Sequence, residues 1–203
     1  MNTTQRTLAA LTLFCAPVAV ADVLPNIELT PYVGYRGGGK WLDAVGDAEI
    51  QSDVSFGVIA NFRASYKTQW ELIYGHHGTD LEFSDGVLAE LAFDFLHVGG
   101  TYVFSEERLA PFLSLALGAT RISPDESAVS SETYFSGSLG VGLRYELTPS
   151  MGLRFEGRAS GLFGKSNSLV FCENVDASEV CFLGGDRGII PQFEALLGLT
   201  FKY

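Results

Sequence analysis

Positive charge is scarce in this sequence. Only 13 Lys and Arg residues stand against 24 Asp and Glu residues, which gives a formal net charge of -11 at pH 7. This balance excludes a basic nucleic-acid-binding protein. Charged residues of both signs make up only 18% of the chain and hydrophobic residues 47%, so an intrinsically disordered acidic segment is excluded as well. The length of 203 residues fits one domain.

Long hydrophobic runs are also missing. No stretch reaches the roughly 20 consecutive apolar residues that a membrane-spanning helix needs. The hydrophobic and aromatic content, 47% and 12% of the residues, is nevertheless high. It indicates either a soluble protein with a large core or a protein whose surface contacts lipid. Passage through a membrane would therefore have to be made by β-strands.

The N-terminus has the features of a secretory signal peptide. Arg6 is the only charged residue in residues 1–21, and an apolar run that ends in Ala-Val-Ala follows it. This pattern predicts cleavage after residue 21 and export of the chain. The predicted organisation is a signal peptide over residues 1–21 and one domain over residues 22–203. The exported domain keeps 12 of the basic residues and all 24 acidic ones, a net charge of -12.

Cysteine is rare, with three residues in the chain, and the predicted cleavage removes one of them. Cys172 and Cys181 remain, eight residues apart in a segment without periodic pattern. In an oxidising periplasm this pair is expected to form a disulfide within a loop, the alternative being two free thiols. No histidine lies near the pair and no cofactor motif is present, so neither a metal site nor a cofactor is predicted.

Apolar and polar residues alternate with period two through most of the exported chain. Residues 135–146 show it best, because apolar residues at odd positions alternate there with Ser, Gly, Arg and Glu at even ones. This is the pattern of a β-strand with one apolar face. Eight segments follow it: residues 27–36, 54–62, 69–75, 96–102, 113–120, 135–146, 153–163 and 193–203.

The connections between these segments alternate in length. Short links at residues 63–67, 105–110 and 148–151 alternate with long ones at residues 37–52, 77–90, 122–132 and 165–190. Aromatic residues lie near the strand ends on the apolar face, which argues against the alternative of a soluble β-sandwich. Together these features predict an all-β fold, an eight-stranded antiparallel up-and-down transmembrane β-barrel with both termini in the periplasm.

Two local motifs resemble those of a known family. The segment Leu96-His97-Val98-Gly99-Gly100-Thr101-Tyr102 is similar to a Gly-Gly-Thr-Tyr strand of the small eight-stranded outer-membrane barrels of Gram-negative bacteria, of the OmpA transmembrane domain and OmpX type. The chain also ends as they do, on an aromatic residue preceded by apolar residues at alternate positions: Leu197, Leu199, Phe201 and Tyr203.

The resemblance implies a place in the cell outer membrane and insertion by the barrel assembly machinery, which would read these four residues as its signal. It also implies contact with outer-membrane lipid and lipopolysaccharide, and a monomeric state. Unlike OmpA, the sequence shows no peptidoglycan-binding domain after the barrel.

Strand parity places charged residues of both signs inside the barrel. They are Glu28, Glu71, His97, Arg144, Glu146, Arg154, Glu156, Arg158, Glu194 and Lys202. Buried charges must pair to persist, so we expect a network of ion pairs that fills the interior. Adjacent strands suggest the pairs Arg144–Glu156, Arg158–Glu194 and Lys202–Glu28, with His97 as a hydrogen-bonded filler. The alternative is a proton or solute path along the same residues.

The sequence thus predicts an outer-membrane barrel with a structural or surface-interaction role and no enzymatic activity. A lipid A-modifying enzyme and a narrow small-solute channel are the alternatives. For the enzyme, His76 and His77 are the candidates, but a lipid A deacylase would need a serine where Gly78 stands. The long loops are acidic, which fits divalent-cation bridges to lipopolysaccharide, docking of a surface partner, or simple solvation.

Overall fold

The computed structural model describes residues 27–38, 40–43, 46–50, 52–82, 88–105, 107–124, 131–163, 169–175, 178–184 and 189–203. The predicted signal peptide, residues 1–21, lies outside this part of the chain. The strands are β1 (Ile27–Gly37), β2 (Lys40–Asp43), β3 (Gly46–Ile50), β4 (Asp53–Arg63), β5 (Thr68–Glu82), β6 (Leu88–Val103), β7 (Leu109–Pro124), β8 (Glu132–Thr148), β9 (Met151–Phe163), β10 (Leu169–Val175), β11 (Ser178–Gly184) and β12 (Ile189–Lys202). No helix among the described residues is long and apolar enough to cross a membrane.

Eight of the strands form one closed antiparallel barrel. Around the barrel they follow the order β1, β4, β5, β6, β7, β8, β9 and β12, and β12 pairs again with β1. The terminal strands pair from Glu28 with Lys202 to Gly37 with Phe193. The backbone N–H of Tyr203 also donates to the carbonyl of Ile27 at 2.9 Å. The all-β, eight-stranded antiparallel barrel predicted from the sequence is confirmed.

The alternation in the sequence sorts the side chains between the two faces of the barrel wall. On β9, Arg154, Glu156 and Arg158 are buried inside, whereas Phe155 faces outward and is 61% exposed. The same holds on every barrel strand, so large apolar side chains cover the outer surface. Burying such residues is the main driving force of folding in water, and their exposure here identifies lipid as the surrounding medium.

Aromatic side chains lie near both ends of this outer surface. Towards the end that bears the termini they include Phe62, Trp70, Tyr102, Phe104, Tyr145 and Tyr203, and towards the other end Tyr35, Phe56, Tyr74, Phe135, Phe163 and Phe193. Two such belts, separated by aliphatic residues, match the aromatic girdles of barrels that span a bilayer.

The expected long loops contain more strand than the sequence predicted. The connection expected at residues 77–90 shrinks to residues 83–87, because β5 continues to Glu82 and β6 begins at Leu88. The connection at residues 37–52 holds the β2–β3 pair, and that at residues 165–190 holds the β10–β11 pair. Strands beyond the bilayer have no lipid-facing side, so they need no apolar alternation and the sequence pattern does not reveal them.

Candidate functional site in the barrel lumen

An arginine crosses the centre of the lumen. Arg154 on β9 is fully buried, and its Nη2 lies 2.7 Å from Oε2 of both Glu71 and Glu156. Glu71 belongs to β5, which stands opposite β9 in the order of strands, so the ion pair joins opposite walls. The guanidinium also lies over the Phe112 ring, 4.5 Å from its centroid. These contacts span the lumen at its middle.

Neutral donors hold the two carboxylates in place. Glu71 accepts hydrogen bonds from Thr101 Oγ1 at 2.7 Å and from Asn61 Nδ2 at 3.1 Å. Ser114 Oγ donates to Glu156 Oε1 at 3.0 Å. Buried charges are stable when their remaining lone pairs and protons are also satisfied. These polar side chains contribute to this for both carboxylates, although Glu71 Oε1 has no hydrogen-bond partner among the described residues.

Gly140 shows why the inner face carries so many small residues. A Cβ atom added there would lie 2.1 Å from Glu156 Oε1 and 2.4 Å from Ser114 Oγ. A larger residue would therefore displace the carboxylate that Arg154 binds. The Gly and Ser residues that alternate with apolar ones on β8 leave room for long side chains from other strands.

A second layer lies towards the end of the barrel that bears the hairpins. On the side of the central charges that faces it, Arg158 Nη2 lies 2.9 Å from Glu156 Oε1. Beyond it, Arg36 Nη2 lies 3.4 Å from Glu194 Oε2 and donates to Ser160 Oγ at 3.3 Å. The Arg36 guanidinium stacks on Phe95, 4.1 Å from the ring centroid.

His97 lies beside these layers without joining an ion pair. Its ring nitrogens contact the hydroxyls of Ser136, at 2.7 Å, and Ser138, at 3.3 Å. The ring also packs against Phe95, with 5.5 Å between the ring centroids. This environment fits the predicted hydrogen-bonded filler.

The lumen opens at the end that bears the termini. A cavity of about 320 Å³ lies there, and its lining includes Glu28, Arg144, Glu146 and Lys202. Arg144 pairs with Glu28, and Lys202 pairs with Glu146. Arg144 also donates to Gln69 Oε1 at 2.9 Å. We call these two ion pairs the mouth, and the ion pairs of Arg154 and Arg158 with Glu71 and Glu156 the central layer.

The structure places all the predicted interior charges in the lumen, but it pairs them differently. Arg144 contacts Glu28 rather than Glu156, Arg158 contacts Glu156 rather than Glu194, and Lys202 contacts Glu146 rather than Glu28. The prediction assumed that partners sit on adjacent strands. Long side chains instead reach across the lumen or along their own strand. Arg36, the partner of Glu194, was missed, although its parity on β1 is that of Glu28.

The other predicted residues lie outside the lumen. The proposed assembly signal, Leu197, Leu199, Phe201 and Tyr203, faces outward along β12. Cys172 and Cys181 are directly opposite each other in the β10–β11 backbone register. The described part of the structure contains no disulfide bond, so that pairing stays a prediction. Within it, no group of three or more His, Cys, Asp or Glu side chains could hold a metal ion.

Neither a protein-family profile nor a curated protein matches this sequence. Several solved structures match its fold. Neisserial surface protein A has 15% identity and a TM-score of 0.60 over 87% of this chain and 97% of its own. OprG, an outer membrane protein of Pseudomonas aeruginosa, has 12% identity and a TM-score of 0.57 over 89% and 96%. The outer membrane protein AlkL has 15% identity and a TM-score of 0.53 over 89% and 92%.

These likenesses show a shared fold, that of the small outer-membrane β-barrels. The apolar outer surface with its two aromatic belts adds a physical requirement for a bilayer. Fold and surface together place the barrel in the cell outer membrane.

Proposed function

We propose that this protein is a monomeric outer-membrane barrel, closed by its own ion pairs, with a structural or surface-interaction role. The observation that carries the proposal is the Arg154–Glu71 contact of 2.7 Å between opposite walls. The interior of an eight-stranded barrel is just wide enough to be filled by its side chains. A guanidinium and two carboxylates at mid-lumen therefore leave no continuous water path.

Charge balance supports a structural plug over a solute path. In the central layer and the layer beyond it, three arginines face three glutamates: Arg36, Arg154 and Arg158 against Glu71, Glu156 and Glu194. At the mouth, Arg144 and Lys202 face Glu28 and Glu146. A selective pore favours one sign of charge along its path, whereas this lumen is electrically neutral at each level.

The opposite end of the barrel offers the surface for interactions. The β2–β3 and β10–β11 pairs lie in its connections, and β3 pairs with the extended end of β5 through Glu49 with Glu82 and Ile50 with Leu81. Because β1 begins and β12 ends at the other end, which is the periplasmic end in barrels of this kind, we assign this end to the cell exterior. Its partners in this proposal are lipopolysaccharide and cell-surface molecules.

Conductance across a planar bilayer tests the plug. The unmodified protein should give no stable channel currents. The double variant Arg154→Ala/Glu71→Ala removes the bridge as a neutral pair and leaves Glu156 with Arg158, so it should admit water and conduct. Lys202→Ala at the mouth is the matched control and should stay closed. Large, stable currents from the unmodified protein would overturn the proposal in favour of a channel.

A lipid A-modifying enzyme is the second candidate, favoured by one contact. On the outer wall, His76 Nδ1 lies 2.8 Å from Asp94 Oδ1, an arrangement that can orient a general base. The position two residues further along the same face is Gly78, which supplies no nucleophile. Mass spectrometry of lipid A incubated with the purified barrel decides between the two. An unchanged acyl and headgroup pattern is expected, and a deacylated or modified product would favour the enzyme.

We also propose that Leu197, Leu199, Phe201 and Tyr203 are read by the barrel assembly machinery during insertion. Their outward alternation on the strand that closes the barrel supports this role. Deleting Tyr203, or making Phe201→Ser together with Tyr203→Ser, should leave the chain secreted but stranded in the periplasm. Fractionation of cell envelopes measures this, and an undiminished outer-membrane yield would contradict it.

A further inference from the structure

The outer wall carries a small group of charged side chains that the plug does not use. Where the structure describes the outward side chains of the eight barrel strands, three are acidic or basic: His76 on β5, Asp94 on β6 and Arg121 on β7. The register pairs His76 with Asp94 and Asp94 with Arg121, so all three lie in one row across adjacent strands. We call them the charged row.

The charged row lies at the edge of the apolar surface. The next outward-facing row towards the middle of the barrel wall lies two residues along each strand. It consists of Tyr74, Leu96, Ala119 and Phe135. Tyr74 and Phe135 are large, exposed and part of the aromatic belt at the end that bears the hairpins. Aromatic belts mark the boundary between acyl chains and headgroups. The charged row therefore sits at the level of the headgroups of the outer leaflet.

Asp94 orients the histidine. His76 Nδ1 contacts Asp94 Oδ1 at 2.8 Å, and Tyr74 OH donates to the same oxygen at 3.2 Å. Phe56 packs against the His76 ring, with 5.1 Å between the centroids. The ring is thus held through one nitrogen and one face, and Nε2 has no partner among the described residues.

Arg121 lies on the other side of Asp94. Its Nη2 donates to Ser131 Oγ at 2.8 Å, and the side chain is exposed. Two strand spacings of about 4.8 Å put the backbones of β5 and β7 about 10 Å apart. A long arginine side chain and an imidazole can span that gap around one phosphorylated group, and arginine is well suited to bind phosphate in a bidentate manner.

Space for such a group is present directly outside the charged row. The next row towards the exterior consists of Gly78, Ala92 and Ser123, all small. A Cβ atom added to Gly78 would meet no atom within 4 Å. The wall is therefore open above His76, and a headgroup can approach from the lipid side while its acyl chains lie along the apolar rows below.

We propose that the charged row is a binding site for the phosphate-bearing headgroup of an outer-leaflet lipid. Arg121 is the main phosphate ligand, His76 lines the site with Nε2, and Asp94 is a positioning residue that orients the imidazole through Nδ1. This site rests on the orientation and the lipopolysaccharide contact of the proposed function, but it is independent of the plug and faces the opposite side of the barrel wall. Its failure would leave the plug intact, and the reverse also holds.

Binding of purified lipid A to the folded barrel in zwitterionic micelles tests the proposal. Native mass spectrometry counts the bound lipid, in buffer free of divalent cations so that the acidic loops contribute no bridges. Arg121→Ala should weaken binding about tenfold, the loss of one charge-assisted contact. Arg121→Lys should fall in between, because it keeps the charge but not the bidentate geometry.

Two controls make the result specific, and a third variant tests the positioning role of Asp94. Lys67→Ala removes the same charge from the turn at the other end of the barrel and should leave binding unchanged. Arg154→Ala/Glu71→Ala perturbs the lumen and should also leave it unchanged. Asp94→Asn keeps the size of the side chain and should weaken binding less than Arg121→Ala does.

Equal losses for Arg121→Ala and Lys67→Ala would overturn the proposal, because they would show only a response to net charge. Undiminished binding of dephosphorylated lipid A would overturn it as well. Inorganic phosphate at millimolar concentration should compete weakly. If it displaced the lipid fully, the site would be one for free anions, and the lipid proposal would be wrong.

Discussion

The central layer and the mouth of the lumen use the same residue types in different surroundings. In the central layer, the side chains of Arg154, Glu71 and Glu156 are at most 1% exposed. At the mouth, Lys202 is 22% and Glu146 46% exposed, beside a cavity that opens to solvent. Each pair unites an acid and a base, but water reaches only the mouth.

Solvent access decides how much such an ion pair contributes to the free energy of unfolding. An exposed ion pair is screened and contributes little, because water solvates either partner when the other is removed. A buried charge that loses its partner has no such replacement. Stability should therefore depend strongly on the central layer and weakly on the exposed Lys202–Glu146 pair of the mouth, and mutations along the lumen measure that gradient.

Arg154→Ala should have the largest effect on stability. It leaves Glu71 without its arginine, and breaking a buried ion pair costs on the order of 3–5 kcal/mol. Urea titration of the folded barrel in lipid vesicles, followed by tryptophan fluorescence, measures the free energy of unfolding. The matched control is Arg154→Ala/Glu71→Ala, which should cost less than the sum of the two single variants because the residues are coupled. Additive losses would contradict the bridge across the lumen.

Arg158→Ala should cost less, about 3 kcal/mol, at the lower end of the range for a broken buried pair. Its partner Glu156 keeps Arg154, whose Nε donates to it at 2.8 Å. The same urea titration orders the two variants. A greater loss of stability for Arg158→Ala than for Arg154→Ala would show that Arg158, and not Arg154, is the main cation of the network.

The sequence allowed more of the fold to be predicted than of the network. Period-two alternation defines which face each residue occupies, and it located the eight strands and the interior position of residues such as Arg154 and Glu194. It carries no information on how far a flexible side chain extends across a closed barrel. The partners of Arg144 and Lys202 were therefore wrong, because they follow from barrel curvature and side-chain length.

Three further features were not predicted from the sequence. Arg36 lies at the end of the first predicted strand segment and was left out of the interior charges, although its parity points inward. The charged row is invisible along the chain, because its members are 18 and 27 residues apart and meet only through strand register. The exterior hairpins were missed because strands outside lipid have no alternation to detect.

Lys202→Ala should have a small effect, at most about 1 kcal/mol, as for other exposed pairs. Glu146 can exchange its ammonium partner for water at the open mouth. High salt should reduce even this contribution, because ions screen exposed pairs. Urea titrations at low and high ionic strength measure both quantities. If Lys202→Ala lowered the free energy of unfolding as much as Arg154→Ala does, the mouth would be sealed from solvent. The central layer and the mouth would then not differ.

The smallest effect on the barrel is expected for Cys172→Ser, which tests a strand pair outside the barrel sheet. The β10–β11 hairpin forms its own two-stranded sheet, separate from the barrel, and its register brings Cys172 opposite Cys181. Directly opposed residues of an antiparallel pair have Cα atoms about 4.5–5.5 Å apart, within the range that a disulfide requires. Mass spectrometry of non-reduced peptides from outer-membrane protein should therefore find the two cysteines joined.

Cys172→Ser should shift barrel stability by no more than about 0.5 kcal/mol, as for a site without contacts to the core. Two free thiols would contradict the pairing, and a marked loss of barrel stability would show that the hairpin packs onto the barrel.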